Sequence, residues 1–446
     1  MRPRSRRLVA LASLVFLVRA VFALAVIPPW QHPDEPQHFE AIRTIAIAPR
    51  LDFTKRADPA VEQEIFQSMA AFGWWRHVGQ PEPVTVPPSF AEDPYFVKVS
   101  VQGVLDAPPV YYAIAAGLVR ALGLRDLLVQ LYAVRVLSVV FGLATLWLVW
   151  AGTRQLFESV EIAAGVTGLL AVHPQFLLSA TSANPDALVN LLAALIYWQF
   201  ARLATGRQVY GSFGVILLAA VAAVFTKRSG APLLVMAGVA AAWLLIAMTR
   251  RGGRHLIASA SLVALAVAAG AGVVWYGGPE IARLSREWSH VTNARVEANP
   301  LSLAYGWTFT VTLLRSAWLW FGWMSYPSPA AWMIGPVILT VAAVTGSALA
   351  VARTNDLTVR RGLIVAGLLV LVQIAAVGVI FYARGRLAQG RYLFPAIGPW
   401  LVLVWIGVAA WWPERLRRWA GVVLIGAVCL LDAAGWWLYL VPTYAR

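Results

Sequence analysis

The chain has 446 residues, of which 60% are hydrophobic and only 13% charged, and its formal net charge is +15. A soluble globular chain is nearer half apolar and about a quarter charged, so an ordinary soluble domain is excluded for most of the length. The basic excess does not indicate nucleic-acid binding, because most of it lies in short loops between apolar runs, where membrane-orientation signals belong.

Arg2, Arg4, Arg6 and Arg7 precede an apolar stretch from Leu8 to Ile27. Ala23-Leu24-Ala25 offers a small-x-small cleavage site, the mark of a signal peptide. The stretch is nevertheless span-length, and Pro28-Pro29-Trp30 reads as the end of a first span. Later spans are expected near residues 128–151, 161–180, 186–203, 209–226, 230–248, 255–276, 329–352, 361–382, 391–411 and 417–440. The expected fold is therefore an all-α polytopic integral membrane protein, one domain over residues 1–446, with about eleven spanning helices. Arg154, Arg202, Arg207, Arg250, Arg251, Arg254, Arg353, Arg360, Arg361, Arg415, Arg417 and Arg418 fall in alternate loops, against Glu158, Glu161, Asp356 and Glu414. By the positive-inside rule those loops and the N-terminus are cytoplasmic, and residues 28–127 and 277–328 are outside. The Ala- and Arg-rich composition points to a bacterial cytoplasmic membrane. Cys429, the only cysteine, lies in an apolar run, so no intrachain disulfide forms.

Two apolar stretches break that alternation if either one crosses alone. Ala107–Gly123 opens on Pro108-Pro109 and holds Arg120 near its end; Leu301–Met324 contains Trp307, Trp318, Trp320 and Trp323. Both are expected as helices lying in the outer interface, anchored by aromatic rings.

Of the 21 acidic residues, twelve fall between Asp34 and Asp126, in a loop too long for a plain connector. Pro36 to Ala48 places Phe39, Ile42, Ile45 and Ala46 at helical spacing and predicts a short amphipathic helix. Asp34-Glu35 then stands at its first turn, so helix capping is the simple account of both. Two histidines, His32 and His38, crowd the same stretch, and Pro33 and Pro36 restrict its backbone. A fixed carboxylate at a membrane surface also suits a general base towards an acceptor hydroxyl or amine. Glu35-x-x-His38 has the spacing of a metal pair on one helical face.

Trp30-Gln31-His32-Pro33-Asp34-Glu35-Pro36-Gln37-His38-Phe39-Glu40-Ala41-Ile42 resembles the first outer loop of the C-type (GT-C) membrane glycosyltransferases, the superfamily of the lipid A aminoarabinose transferase and the protein O-mannosyltransferases. Four further segments resemble that family in the same order: Asp106-Ala107-Pro108-Pro109-Val110-Tyr111-Tyr112, Thr181-Ser182-Ala183-Asn184-Pro185-Asp186-Ala187-Leu188, Phe225-Thr226-Lys227, and Gln389-Gly390-Arg391-Tyr392-Leu393-Phe394-Pro395. The nearest likeness is to bacterial members without a C-terminal soluble domain. The resemblance implies inverting transfer of a sugar from a polyprenyl-phosphate carrier to a lipid, glycan or protein acceptor on the outer face. Where the aminoarabinose transferase pattern has Glu-Lys-Pro this chain has Asp106-Ala107-Pro108, so a basic residue is missing.

On this reading Asp34 is the base, and Glu35 orients the acceptor or the first helix. Asp186 and Asp106 are second carboxylates, with helix capping as the alternative for Asp186. Lys227 and Arg228 at one outer span end, and Arg384, Arg386 and Arg391 with Tyr392 before another, run against the positive-inside rule. A departing phosphate explains them, because cations aimed at its developing charge lower the barrier; snorkelling to headgroups is the alternative. A divalent metal is the one cofactor left open, with Asp106, His290 and His38 as candidate ligands. Arg19 and Asp432 read as interfacial charges near span ends, and His173 and Gln175 as mid-span packing residues. Membrane lipids are partners; nucleic acid is not. A transporter or flippase for a lipid-linked glycan is the rival, but it calls for midplane ionisable groups and internal repeats, and neither is evident.

Overall fold

The structure is a computed structural model that describes residues 3–48, 53–83, 90, 96–249 and 301–444. Among them are eight helices long and apolar enough to cross a membrane, or nine if one bent pair counts as a span. The protein is an all-α polytopic membrane protein. Its spans expose large apolar side chains such as Val18, Val21, Val140, Leu371 and Val379, each more than half exposed, a pattern that only a lipid surround tolerates around the whole bundle.

The bundle begins with α1 (Pro3–Val26). α6 (Leu127–Phe157) has 31 residues, about 46 Å at 1.5 Å per residue, longer than a bilayer core of roughly 30 Å. It starts where the Asp126 side chain accepts from the Val129 N–H. α6 packs most extensively on α9 (Asp186–Ala204), which in turn packs on α10 (Val209–Val224), and α10 leads into α11 (Pro232–Thr249). α10 has 16 residues, so the span expected over 209–226 is a shorter apolar helix. α13 (Ile334–Arg353) crosses α15 (Ile397–Ala410) with Gly346 against Gly407; a Cβ on Gly346 would fall 1.9 Å from the Gly407 oxygen. α14 (Leu357–Ile380) and α16 (Arg417–Gly435) complete the described spans. The span expected over 255–276 lies outside the described residues.

Two further expectations need correction. The single span expected over 161–180 is α7 (Val160–Val172) and α8 (Pro174–Ala180), bent by 68° at His173. Pro174 supplies no N–H and pushes the residue before it out of helical geometry, and His173 has ψ 120°. The helix expected over Leu301–Met324 stops early: α12 (Leu303–Trp318) is followed by a hairpin pairing β1 (Trp320–Phe321) with β2 (Tyr326–Pro327). Positive φ at Gly322 (60°) and Met324 (61°) turns the chain there.

The first long loop carries a core of its own. The predicted amphipathic helix is α2 (Glu35–Ile47), which buries Phe39, Ile42 and Ile45 against α5 (Val110–Ala121), the stretch expected to lie in the interface. α3 (Pro59–Ala71), capped by Asp58, and α4 (Trp74–Val78) add Ile65, Phe66 and Trp75 to the same core. Leu131 and Val134 of α6 and Leu188 of α9 complete that core, so the loop packs directly on the spans.

Candidate active site

The α1–α2 connection turns through two non-glycine residues of positive φ, Trp30 at 72° and Asp34 at 64°. Such backbone is costly, above all for a bulky residue, and persists only where neighbours hold it. The Trp30 N–H donates to Glu35 Oε2 at 3.0 Å, and Trp323 Nε1 donates to the Trp30 carbonyl at 2.9 Å.

Glu35 is the knot of this turn. Its oxygens take Arg135 Nε at 2.8 Å and NH2 at 2.6 Å, and the Ala183 N–H at 3.1 Å; both side chains are fully buried. Burial opposes ionisation, but Arg135 outweighs it and holds the Glu35 carboxyl below its ordinary value. Glu35 therefore joins α2, α6 and the turn before α9. Two expectations do not fit this geometry: with four donors on its oxygens, Glu35 neither faces an acceptor nor forms a metal pair with His38. His38 is itself turned to Tyr112, Nδ1 to hydroxyl at 2.8 Å, and burial lowers its pKa to about 3, so it is neutral.

Asp34, one residue away, behaves differently. It occupies the N-cap position of α2 yet makes no side-chain cap hydrogen bond, so the capping account fails for it. Its Oδ2 accepts instead from Arg391 NH2, and its side chain keeps 29% exposure. Burial acts to raise its pKa, but the charge of Arg391, joined by that of Lys227, wins and holds it low. Arg391 NH1 also lies 3.5 Å from Asp186 Oδ2, and Lys227 Nζ donates to Asp186 Oδ1 at 2.6 Å. Asp34, Arg391, Asp186 and Lys227 thus form one alternating chain of charge. The Tyr392 ring faces both cations, 5.7 Å from Lys227 and 5.6 Å from Arg391.

Each member is set by its element. Asn184 Oδ1 accepts from the Asp186 N–H at 3.0 Å, so Asn184 performs the local helix-start role and leaves the Asp186 carboxylate to the cations. Gly390 lets the Arg391 turn lie against α12, where a Cβ would fall 2.1 Å from the Ala317 nitrogen, and its N–H donates to Ser316 Oγ at 2.7 Å.

The remaining candidates stand apart. Asp106 and Arg228 are exposed at the rim, where Arg228 NH2 donates to the Asp106 carbonyl at 3.2 Å. Arg386 accepts from the Tyr305 hydroxyl through its backbone oxygen at 2.9 Å. His290 and the Arg384 side chain lie outside the described residues. No group of three or more His, Cys, Asp or Glu that could hold a metal occurs among the described residues. Arg19 and Asp432 are not separate interfacial charges: they pair at 2.5 Å within the spans, and Arg19 also donates to the Ala171 carbonyl at the α7 break. His173 packs 4.6 Å from Trp318, as expected of a packing residue.

Three residues that the sequence reading missed belong to the site. Arg135 was signalled only as a lone cation inside an apolar run. Asn184 carried no separate signal within its motif. Lys55 had none: its ammonium donates to the carbonyls of Leu105, at 3.0 Å, and Ala107, and sits 4.9 Å from the Tyr112 ring. It thereby brings a cation to the segment where the resemblance lacks one.

A model of the predicted membrane protein family DUF2142 matches residues 16–398. The chain belongs to that family. The match takes in every member of the charge chain, from Asp34 to Arg391. No curated protein matches this DUF2142 chain. Among solved structures it is similar to the crystal structure of ArnT from Cupriavidus metallidurans in the apo state, at 15% identity and a TM-score of 0.45, covering 97% of this chain and 73% of that one.

Proposed function

We propose that this protein is an inverting glycosyltransferase that moves a sugar from a polyprenyl-phosphate carrier to an acceptor on the outer face of a bacterial cytoplasmic membrane. The observation that carries the proposal is the charge chain itself. Arg391 and Lys227, which the positive-inside reading expects on the outer side, meet a partly open carboxylate, Asp34, and the second carboxylate Asp186 at one end of the bundle.

The acceptor hydroxyl or amine gives its proton to Asp34 while attacking the anomeric carbon. The bond to phosphate oxygen breaks, and the charge that develops on the leaving phosphate is met by Arg391 and Lys227. A single displacement needs one base, so no second carboxylate has to attack. The cations also regulate that base. In the resting protein they hold Asp34 low, which makes it a weak proton acceptor. A bound phosphate neutralises part of their field, so Asp34 gains basicity only with donor in place.

Lipid-reconstituted protein supplied with a panel of polyprenyl-phosphate sugars and acceptors tests the proposal. Wild type is expected to consume donor, and Asp34→Asn to lose about 10²–10⁴-fold in rate with its thermal midpoint little changed. Undiminished turnover by Asp34→Asn would remove the base assignment. Failure of the carrier phosphate to bind wild type, with Arg391→Ala and Lys227→Ala no different from it, would remove the enzyme class.

A further inference from the structure

Beside the charge chain lies an open cleft with about 620 Å³ of empty space, solvent-open space included. Gln31 and His32 from the α1–α2 connection, Ser179 from α8, Asp186 and Arg391 line it, with Trp320 on a further wall. In each of those first five residues one polar atom is buried without a hydrogen-bond partner: Gln31 Nε2, His32 Nε2, Ser179 Oγ, Asp186 Oδ2 and Arg391 Nε. Buried polar groups are ordinarily hydrogen-bonded, and the residues that carry these five atoms come from separate elements to line one cleft, with Asp186 Oδ2 also 3.5 Å from Arg391 NH1; an occupant of the cleft can supply the missing hydrogen bonds.

Their chemistry restricts that occupant. Gln31 and Arg391 present donors, Asp186 presents an acceptor, and the Ser179 hydroxyl does either. His32 is kept neutral by burial, its pKa lowered to about 3, so its nitrogen adds no charge. Gln31, His32 and Ser179 bring no charge to balance an ion, and an apolar group would leave all five without hydrogen bonds. The carrier phosphate therefore belongs at Arg391 and Lys227, and a neutral polar group beside it. Hydroxyl groups, which donate and accept at once, satisfy the set. Trp320, half-buried on the same cleft, adds an aromatic wall for the C–H face of a ring.

We infer that this cleft binds a sugar ring, held by Gln31, His32 and Ser179 with its reacting end towards Arg391 and Asp186. The inference rests on the proposed function for the origin of that ring, either the glycosyl group of the donor or a sugar of the acceptor. Gln31, His32 and Ser179 are then specificity-determining residues.

The test uses the full chain in lipid nanodiscs free of glycoside detergents. Binding of bare polyprenyl phosphate is compared with binding of the same carrier bearing hexoses, pentoses or an aminopentose. Methyl glycosides of those sugars are followed separately by saturation-transfer NMR. If the ring is the donor's, wild type prefers a sugar-bearing carrier by at least about tenfold, Gln31→Leu removes the preference, and bare-carrier binding is unchanged. If the ring is the acceptor's, the carriers bind alike, while methyl glycosides give a transfer signal that Gln31→Leu abolishes. Equal carrier binding together with no Gln31-dependent glycoside signal overturns the cleft and leaves the proposed function standing. Loss of all carrier binding overturns the proposed function, and the glycoside arm still decides the cleft. Ser179→Val, on α8, repeats the measurement should Gln31→Leu fail to fold.

Discussion

Two clusters of opposite charge, begun by consecutive residues of one motif, stand side by side at the end of the bundle. In the Glu35–Arg135 cluster both side chains are fully buried, and each Glu35 oxygen accepts two hydrogen bonds. In the Asp34–Arg391–Asp186–Lys227 cluster, Asp34 keeps 29% exposure, and Asp186 Oδ2 and Arg391 Nε are buried without a hydrogen-bond partner. A saturated pair has nothing left to offer a substrate and acts as an internal tie. An unsaturated one holds charge ready at a place a ligand can reach. Hydrogen-bond saturation, more than residue type or spacing, separates the structural carboxylate from the chemical one.

Exchanging the two roles is the strongest way to break this contrast. Asp34→Asn should lose orders of magnitude in turnover and little stability. Glu35→Gln should do the reverse, leaving Arg135 buried and uncompensated at a cost of about 3–5 kcal/mol, with Glu35→Gln/Arg135→Met recovering part of it. Thermal unfolding and turnover on the same samples decide it, and a stable, inactive Glu35→Gln would overturn the division.

The coupling of Asp34 to its cations predicts a difference between two pH profiles. The acid limb of kcat/KM reports the free enzyme, where Arg391 and Lys227 hold Asp34 low; the limb of kcat reports the donor complex. The kcat limb should therefore lie at higher pH, and coincident limbs would show that donor does not relieve the field.

Lys55 should have a smaller effect. Lys55→Met removes a cation at the rim without touching the charge chain, so KM for donor should rise several-fold with kcat nearly constant. An equal fall in kcat would place Lys55 among the reacting groups.

The loop core carries an effect on stability that pH alone reveals. Burial raises Glu40 to about 8 from 4.5, although the Val101 N–H opposes the shift. Between those values the unfolded chain has released a proton that the folded state keeps, so stability falls as pH rises from about 4.5 to about 8. Glu40→Gln should flatten that part of the thermal-midpoint profile, and an unchanged slope would assign it to other groups.

Periodicity and hydropathy made much of the fold legible along the chain. Runs of apolar residues need no distant partner to become helices in lipid, because every backbone group is satisfied within the segment. Phe39, Ile42 and Ile45 likewise announced α2 through local spacing. The bend at Pro174 has a local cause too, since proline acts on its own neighbours, yet hydropathy alone runs 161–180 together as one straight span. Asp34, Lys227 and Arg391 were found as candidates from motif resemblance and from charges on the unexpected side. Local pattern could not say which carboxylate would be saturated. Asp34 and Arg391 are 357 positions apart, Glu35 and Arg135 100, and ion pairs at such separations leave no periodic trace. Lys55 reaches Ala107 from a stretch without helical pattern. Backbone preferences act over a few residues, whereas the alignment of four charges and five unpaired polar atoms around one cleft is decided only when the spans and the loop domain pack together.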